Sequence, residues 1–239
     1  MPTVRRSQLC LALALCAAAT PAFADWTGKG DIGASFATGN SESQAASANL
    51  ELKNTVGKWQ HTFGLAGNYA YDGNESNKTA QRWEVRGQTQ YELTERAYAF
   101  GAGRYEDDEF SQYDFQSSLA GGLGYKFIDT ERTKLWAQAG PGYRYAEVAA
   151  TGETEDGIIF RGDAGFEHQL TETTKIVDRL LVEAGSDNTY VQNDLGLEVT
   201  ITGALGLRVG YQIRHNTDVE PTIEKTDTLL TVGLLYETK

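Results

Sequence analysis

The sequence is poor in cysteine, histidine and proline, and it contains no long hydrophobic run. Its two cysteines, Cys10 and Cys16, lie near the amino terminus, and no cysteine follows them. The rest of the chain therefore cannot use disulfide bonds or thiolate metal sites for stability or for chemistry. No later stretch approaches the roughly 20 apolar residues that a transmembrane helix needs. These absences leave two classes, a soluble β-protein and a membrane-spanning β-barrel.

The first 24 residues have the features of a secretory signal peptide. A basic start precedes an apolar run, and Ala22-Phe23-Ala24 supplies a small-residue cleavage site. We expect cleavage before Asp25 and export of residues 25–239 as one domain. A lipid anchor on Cys16 is a less favoured alternative, because the residue before it is leucine rather than a small residue.

Acidic residues outnumber basic ones by 33 to 21, which gives a net charge of -12. Residues 1–24 contain two arginines and no acidic residue, so their removal would change the net charge from -12 to -14. Nucleic-acid binding requires clustered lysine and arginine that neutralise phosphates. We therefore expect no nucleic-acid partner.

Apolar and polar residues alternate along most of the chain. Trp83 and Val85, for example, alternate with Arg82 and Glu84, which is the period of a β-strand. Clusters of turn-forming residues separate such runs, and the connections alternate between shorter and longer. The even number of runs predicts an all-β, antiparallel, up-and-down transmembrane β-barrel of about twelve strands. The predicted runs lie near residues 26–37, 44–54, 59–71, 80–93, 97–105, 115–127, 134–145, 158–170, 175–184, 190–201, 204–215 and 226–237.

Each run has one apolar face and one charged face. In a soluble β-sandwich the apolar faces of two sheets would meet, so the alternation alone does not decide between the classes. Aromatic residues near the ends of the apolar faces favour a membrane barrel, where they form girdles at the two interfaces. The predicted girdle residues are Trp26, Trp59, Trp83, Tyr91, Tyr98, Phe115, Tyr125, Phe127, Tyr143, Tyr145, Phe166, Tyr211 and Tyr236.

On the charged faces, basic and acidic residues occur in nearly equal number. A confined lumen demands such a balance, because an unpaired charge in it costs several kcal/mol. We therefore predict a network of paired charges that lines the lumen of the barrel. Its predicted members are Arg82, Glu84, Arg86, Arg144, Arg161, Asp163, Glu167, Arg179, Glu183, Asp194, Glu198, Arg208, Arg214 and Asp227.

Four consecutive acidic residues, Glu106, Asp107, Asp108 and Glu109, follow the fifth run. We expect them to form an acidic outer loop, together with most of the chain's excess acid. Carboxylates can collect Ca²⁺ or Mg²⁺, but the ligand spacing and glycine of a dedicated calcium loop are absent. A solvated loop that repels anions is the favoured interpretation.

Three features fit a regular barrel poorly. Asp178 falls on the apolar face of the ninth run, where a charge is costly unless it lies at the membrane interface. Pro141 removes a ladder hydrogen bond from the seventh run, which predicts a bulge or a locally open edge. In the fifth run, the face that carries Tyr98 and Arg104 cannot be assigned to the inside or the outside.

Little in the chain indicates catalysis. Its histidines are His61, His168 and His215, and no sequence feature pairs one of them with a nucleophilic serine, although Ser117 is conceivable. The G-x-S-x-G, H-E-x-x-H and P-loop motifs are absent. We predict that the chain is not an enzyme and has no catalytic residue, metal site or cofactor.

Several short elements resemble those of one known family. They are Trp26-Thr27-Gly28-Lys29-Gly30, the stretch Ala37-Thr38-Gly39-Asn40-Ser41, and Lys225-Thr226-Asp227-Thr228. This pattern resembles the YdiY-like family, also called domain of unknown function 481 and often labelled salt-induced outer-membrane proteins. The resemblance implies an outer-membrane barrel and brings no catalytic residues.

The predicted function is therefore a structural barrel or a passive small-solute channel of the outer membrane, with a link to salt or osmotic stress. The expected partners are outer-membrane lipid, lipopolysaccharide, periplasmic chaperones and the barrel-assembly machinery, for which Tyr236 would supply the aromatic signal near the carboxyl end. Two alternatives stay open. One is an outer-membrane lipid-modifying enzyme, and the other is a soluble periplasmic β-sandwich or lipid-binding barrel.

Overall fold

The structure is a computed structural model that describes residues 26–37, 43–72, 77–219, 221 and 223–238. The predicted signal peptide and the Thr38-Gly39-Asn40-Ser41 motif lie outside these residues. The described residues form twelve strands: β1 (Trp26–Ala37), β2 (Ser43–Val56), β3 (Trp59–Asp72), β4 (Asn77–Glu92), β5 (Ala97–Asp108), β6 (Tyr113–Asp129), β7 (Thr133–Val148), β8 (Thr154–Gln169), β9 (Thr174–Ala184), β10 (Thr189–Thr202), β11 (Leu205–Asn216) and β12 (Thr226–Glu237).

Every strand pairs antiparallel with its neighbours in sequence, and β1 pairs with β12, so the sheet closes into a barrel. The prediction of an up-and-down barrel of twelve strands is confirmed. The β-sandwich alternative is wrong, because the sheet folds back on itself and no second sheet covers its apolar face. Among the described residues, no helix is long and apolar enough to cross a membrane.

The connections define two ends of the barrel. The turns at 57–58, 93–96, 130–132, 170–173 and 203–204 lie at one end, which we call the turn end. The opposite end carries connections of four to nine residues, and we call it the loop end. Several strands are longer than the sequence predicts, so most of these connections are shorter than predicted. In the two-residue turns, Gly57 and Gly203 have φ of 59° and 52°, a left-handed conformation that glycine adopts without a steric penalty.

The outward face of the wall is apolar. Ile32, Leu119 and Ile158 expose 72%, 70% and 77% of their surface, and rows of leucine and valine continue this face around β10, β11 and β12. Towards the loop end, an aromatic ladder crosses four strands. Ring centroids lie 5.1 Å apart for Trp83–Tyr105, 5.7 Å for Tyr105–Phe115 and 5.8 Å for Phe115–Tyr145.

A second group of outward aromatic rings lies towards the turn end. Trp59 and Tyr91 have centroids 4.9 Å apart, and those of Tyr125 and Phe127 are 5.2 Å apart. Trp83 and Tyr91 mark both levels on β4, and about 26 Å of strand separates them at roughly 3.3 Å per residue. At a strand tilt of about 40°, this corresponds to roughly 20 Å along the barrel axis, which lies within the apolar band of about 25 Å that membrane barrels expose.

One predicted girdle residue is placed wrongly. Tyr98 points into the lumen and exposes only 2% of its surface. The inward face of β5 begins with Tyr98 and Phe100 and becomes charged only from Arg104 onward. Its outward face is largely alanine and glycine, so neither face carries the usual apolar signature.

Pro141 interrupts the ladder between β6 and β7. Pairing passes from Ala120–Gly142 to Leu123–Ala139, and no pair joins the residues between them. The register does not shift across this gap, so pairing is interrupted without a bulge at Pro141. The two strands nevertheless stay close together, because a Cβ atom at Gly122 would overlap the carbonyl oxygen of Ala139. On its other side Pro141 stays in register with Phe160 of β8.

The closing ladder between β1 and β12 depends on a pair of glycines. It runs from Lys29–Glu237 to Ala34–Val232, and Gly33 faces Gly233 within it. A Cβ atom at Gly233 would overlap the carbonyl oxygen of Ile32. The two strands can approach to hydrogen-bonding distance here because neither inward position carries a side chain.

We expect Gly233→Val to destabilise the barrel by at least about 2 kcal/mol, because backbone would have to move to admit the side chain. Urea unfolding in detergent or lipid vesicles measures the loss. Gly87→Val is the matched control, since no atom lies within 4 Å of a Cβ built at Gly87. Equal stability of the two variants would contradict a close-packed closing ladder.

Candidate functional site: the charged lumen

Six charged side chains close the lumen towards the loop end. Three guanidinium groups face three carboxylates, and ion pairs no longer than 3.2 Å connect them all. Each of the six side chains exposes at most 7% of its surface. We call this cluster the outer plug, and it consists of Arg82, Glu84, Arg104, Glu106, Arg161 and Glu183.

Glu183 joins strands from different sides of the wall. Its carboxylate accepts hydrogen bonds from Arg104 Nη2 at 2.8 Å, from Arg161 Nη1 at 3.2 Å and from Ser118 Oγ at 2.5 Å. Arg104 belongs to β5 and Glu183 to β9, four strands away around the barrel. Their ion pair therefore spans the lumen rather than running along its wall.

Glu106 is the second shared carboxylate of the outer plug. It accepts hydrogen bonds from Arg82 at 2.6 Å, from Arg104 at 2.7 Å and from the side-chain amide of Gln116 at 3.0 Å. The Arg104 guanidinium also lies over the ring of Tyr190, 4.6 Å from its centroid. The three guanidinium groups and three carboxylates of the outer plug therefore neutralise one another, as burial in a low-dielectric interior requires.

Two further groups of charges lie above the outer plug, near the loop end. Arg214 donates to Asp108 Oδ2 at 2.8 Å, and these residues belong to β11 and β5, on opposite sides of the barrel. The Arg144 guanidinium lies 5.4 Å from the centroid of the Tyr113 ring and 3.7 Å from Glu155. The mouth of the barrel is thus narrowed by charged and aromatic side chains.

Below the outer plug the lumen is open and polar. A cavity of about 520 Å³ extends to the turn end, and we call it the inner vestibule. A smaller cavity of about 120 Å³ lies beside it. The bidentate pair of Arg179 and Glu51, with bonds of 2.6 and 3.1 Å, reaches from β9 to β2 and borders both cavities.

The predicted lumen residues all face the interior, but they do not form one network. Six of them belong to the outer plug or pair with it: Arg82, Glu84, Arg86, Arg161, Asp163 and Glu183. Arg208 binds Asp31 at 2.9 Å, and Lys29 binds Glu198 at 2.6 Å, near the turn end. Asp194 accepts from two glutamines, Arg214 also approaches Asp227 at 3.5 Å, and no ion pair is seen for Glu167 within the described residues.

The predicted acidic outer loop requires a correction. Glu106, Asp107 and Asp108 belong to β5, and Glu106 and Asp108 point inward, where they neutralise arginines. Only Glu109 lies in the connection, and it pairs with Lys78. β5 continues beyond its apolar part, so most of the acidic run that resembles a loop in the sequence forms the loop-end part of this strand.

Sequence reasoning missed Arg104, Glu106 and Asp108 as lumen residues. Their period-two spacing on β5 is visible in the sequence, but the preceding Tyr98 and Phe100 make the same face look apolar. Continuing the alternation past residue 105 would have placed all three on one face. The ion pairs that they form with β4, β9 and β11 have no signal in a single sequence.

The histidines and Ser117 do not form a nucleophile with its base. His61, His168 and His215 each share a hydrogen bond with a threonine of the neighbouring strand, at 3.1, 2.8 and 2.8 Å. Ser117 donates to the carbonyl oxygen of Tyr145 instead. Within the described ranges, no group of three or more potential ligands could hold a metal ion.

Asp178 points outward from the fifth position of β9. Its carboxylate accepts a hydrogen bond of 2.7 Å from the side-chain amide of Asn193 on β10. Its neighbours in register are Phe166 and Leu195. Asp178 is thus on the apolar face, as its place in the ninth run predicts, and its amide partner lowers the cost of this charge.

Known proteins resemble this chain in sequence and in fold. The profile of the family described as "Protein of unknown function, DUF481" matches residues 30–237. The uncharacterized protein YdiY from Escherichia coli (strain K12) is 25% identical over 221 residues, which cover 90% of this chain and 85% of that protein. The NanC porin has a similar fold, with a TM-score of 0.51 and 11% identity over 88% of this chain and 98% of that one.

We expect Glu183→Gln to destabilise the barrel by about 3 kcal/mol or more, because it leaves two buried guanidinium groups short of a counter-charge. Glu51→Gln is the control, and it should cost no more than about 1 kcal/mol because its partner Arg179 is 46% exposed. Urea unfolding of both variants checks the difference. A loss at Glu183 no larger than at Glu51 would contradict a water-excluding plug.

Proposed function

The chain belongs to the DUF481 family, and we propose that it is a passive small-solute channel of the outer membrane that the outer plug holds closed at rest. The observation that carries this proposal is the contrast within the lumen. Buried ion pairs cross it near the loop end, whereas an open vestibule of about 520 Å³ occupies the other half. A barrel that served only as a wall would not need such a vestibule.

The outward face supports a location in a membrane. Exposed side chains such as Ile158 and Leu119 would cost free energy in water, about 25 cal/mol for each Å² of apolar surface. In hydrocarbon this cost disappears, and the pairing of β1 with β12 closes the sheet into a barrel. A soluble lipid-binding barrel would need the reverse arrangement, with apolar residues inside and charged residues outside.

The thickness of the outer plug favours a channel over a filled barrel. On β4 and β5 the plug uses two inward residues each, Arg82 with Glu84 and Arg104 with Glu106. Inward residues two positions apart are about 7 Å apart along a strand. The plug is therefore thin compared with an apolar band of about 25 Å, and a small rearrangement of side chains would open a path.

A purely structural barrel is the second candidate. The near-complete burial of the outer plug favours it, because each plug side chain exposes at most 7% of its surface. We propose no enzymatic role. The histidines bond to threonines on the outer face, and a hydrolase of the serine type would need one of them beside a nucleophile.

We expect the protein to fractionate with the outer membrane and to require detergent for release, with Asp25 as the amino-terminal residue of the mature chain. Lipid, lipopolysaccharide, periplasmic chaperones and the assembly machinery would be its partners there. Cell fractionation followed by amino-terminal sequencing checks both points. Recovery of the protein from the soluble periplasm without detergent would contradict the proposal.

In planar bilayers, the wild-type barrel should show few or no conductance steps, whereas the double variant Arg104→Ser with Glu183→Ser should show clear steps. The double change removes the ion pair between Arg104 and Glu183 that crosses the lumen. Glu106 keeps Arg82 as a partner, and Arg161 keeps Asp163. The matched control replaces Lys126 and Glu92, a paired and part-exposed couple, by serine. This control should conduct as little as the wild type.

Frequent wild-type steps as large as those of the plug variant would contradict a closed resting state, and no steps in either protein would leave the structural barrel.

Recordings at low and high salt also test the proposed link to salt stress. Exposed bridges such as Arg179–Glu51 are screened by salt more strongly than buried ones. A conductance that merely follows the bulk conductivity would remove that link.

A further inference from the structure

Within the described lumen, lysines occur in one part only, whereas arginines occur in both. The outer plug uses only arginines, whereas the five lysines Lys29, Lys53, Lys126, Lys134 and Lys175 line the inner vestibule. Arginine forms rigid, bidentate ion pairs, and lysine is a mobile, strongly hydrated point charge. Arginine suits a closure held by several fixed ion pairs, and lysine suits a ligand that binds reversibly.

The lining of the inner vestibule has a small excess of basic residues, although the whole protein is acidic. Nine basic and seven acidic residues line it, whereas the whole chain has a net charge of -12. Its volume of about 520 Å³ falls within the range of roughly 300–1,000 Å³ that small-molecule sites occupy. An anion that entered from the turn end would therefore meet several lysine side chains in a space of its own size.

Two of these lysines have no counter-ion. No carboxylate lies within 4 Å of Lys53 or Lys134 among the described residues, while Lys29, Lys126 and Lys175 all form ion pairs. Lys53 belongs to β2 and Lys134 to β7, five strands away, so they face each other across the vestibule. Lys126 and Lys134 are the like charges that act on Lys53, and Glu51 and Glu167 are the opposite ones.

A buried donor adds a second, independent observation. The Tyr98 side chain lines the same cavity and is 2% exposed, yet its hydroxyl has no hydrogen-bond partner within the described part of the chain. A buried hydroxyl without a partner is costly, and an oxyanion that accepts a hydrogen bond from it would remove that cost. Tyr98 is thus suited to complete a site whose charges come from the lysines.

We infer that the inner vestibule binds a small, multiply charged oxyanion, a carboxylate or phosphate compound that reaches it from the turn end. Lys53 and Lys134 would contact its charged groups from opposite walls, and Tyr98 would donate a hydrogen bond. The carboxylate of Glu167 lines the same space, forms no ion pair among the described residues and would oppose binding. The side of entry depends on the proposed outer-membrane orientation, whereas the binding itself does not.

The test is isothermal titration of the purified full barrel in neutral detergent at low ionic strength, with citrate and inorganic pyrophosphate as probes. Tryptophan fluorescence is a second readout, because Trp136 lines the cavity. The double variant Lys53→Gln with Lys134→Gln should weaken binding about tenfold or more. Glu167→Gln should tighten it several-fold, an effect opposite in sign that a folding defect would not produce.

Lys58→Gln is the matched control, because Lys58 lies in a turn at the same end but does not line the cavity. Its affinity for citrate should equal that of the wild type. The inference fails if neither probe binds, if Lys58→Gln weakens binding as much as the double variant, or if Glu167→Gln leaves the affinity unchanged. Since titration needs no current, binding by a non-conducting barrel would contradict only the channel, and conduction without binding only the anion site.

Discussion

The structure depends on the closed ladder of backbone hydrogen bonds between its first and last strands. Hydrocarbon offers no partner to a peptide N–H or C=O group, so a sheet in a membrane must satisfy every such group itself. The pairing of β1 with β12 joins the two ends of the sheet along six residue pairs. Closure also creates a confined interior, and this confinement obliges the inward charges to neutralise one another.

Within that interior, the position of each charge determines its role. The shared carboxylates Glu183 and Glu106 each bind two guanidinium groups, and the resulting cluster excludes water from the outer half of the lumen. Towards the turn end, pairs are more exposed and the cavity stays open. One wall thus supports a buried, charge-balanced barrier and an open chamber lined by lysines.

The strand alternation made the fold predictable, because period two is written in nearly every run and its apolar face is continuous. The number of strands and the inward facing of residues such as Arg82 follow from this pattern alone. The facing of β5 did not, since Tyr98 and Phe100 are apolar residues inside a charged lumen. The site was harder to predict than the fold, because the partners of Arg104 and Arg214 lie on distant strands whose register the sequence does not state.

The ion pair between Arg104 and Glu183 joins residues 79 positions apart, and that between Arg214 and Asp108 joins residues 106 apart. Hairpins bring together neighbours in sequence early, but contacts this remote form only after the intervening strands have assembled. The inward charges therefore stay hydrated until the strands that carry their partners have assembled. A barrel that closed before these pairs formed would be a complete but leaky pore.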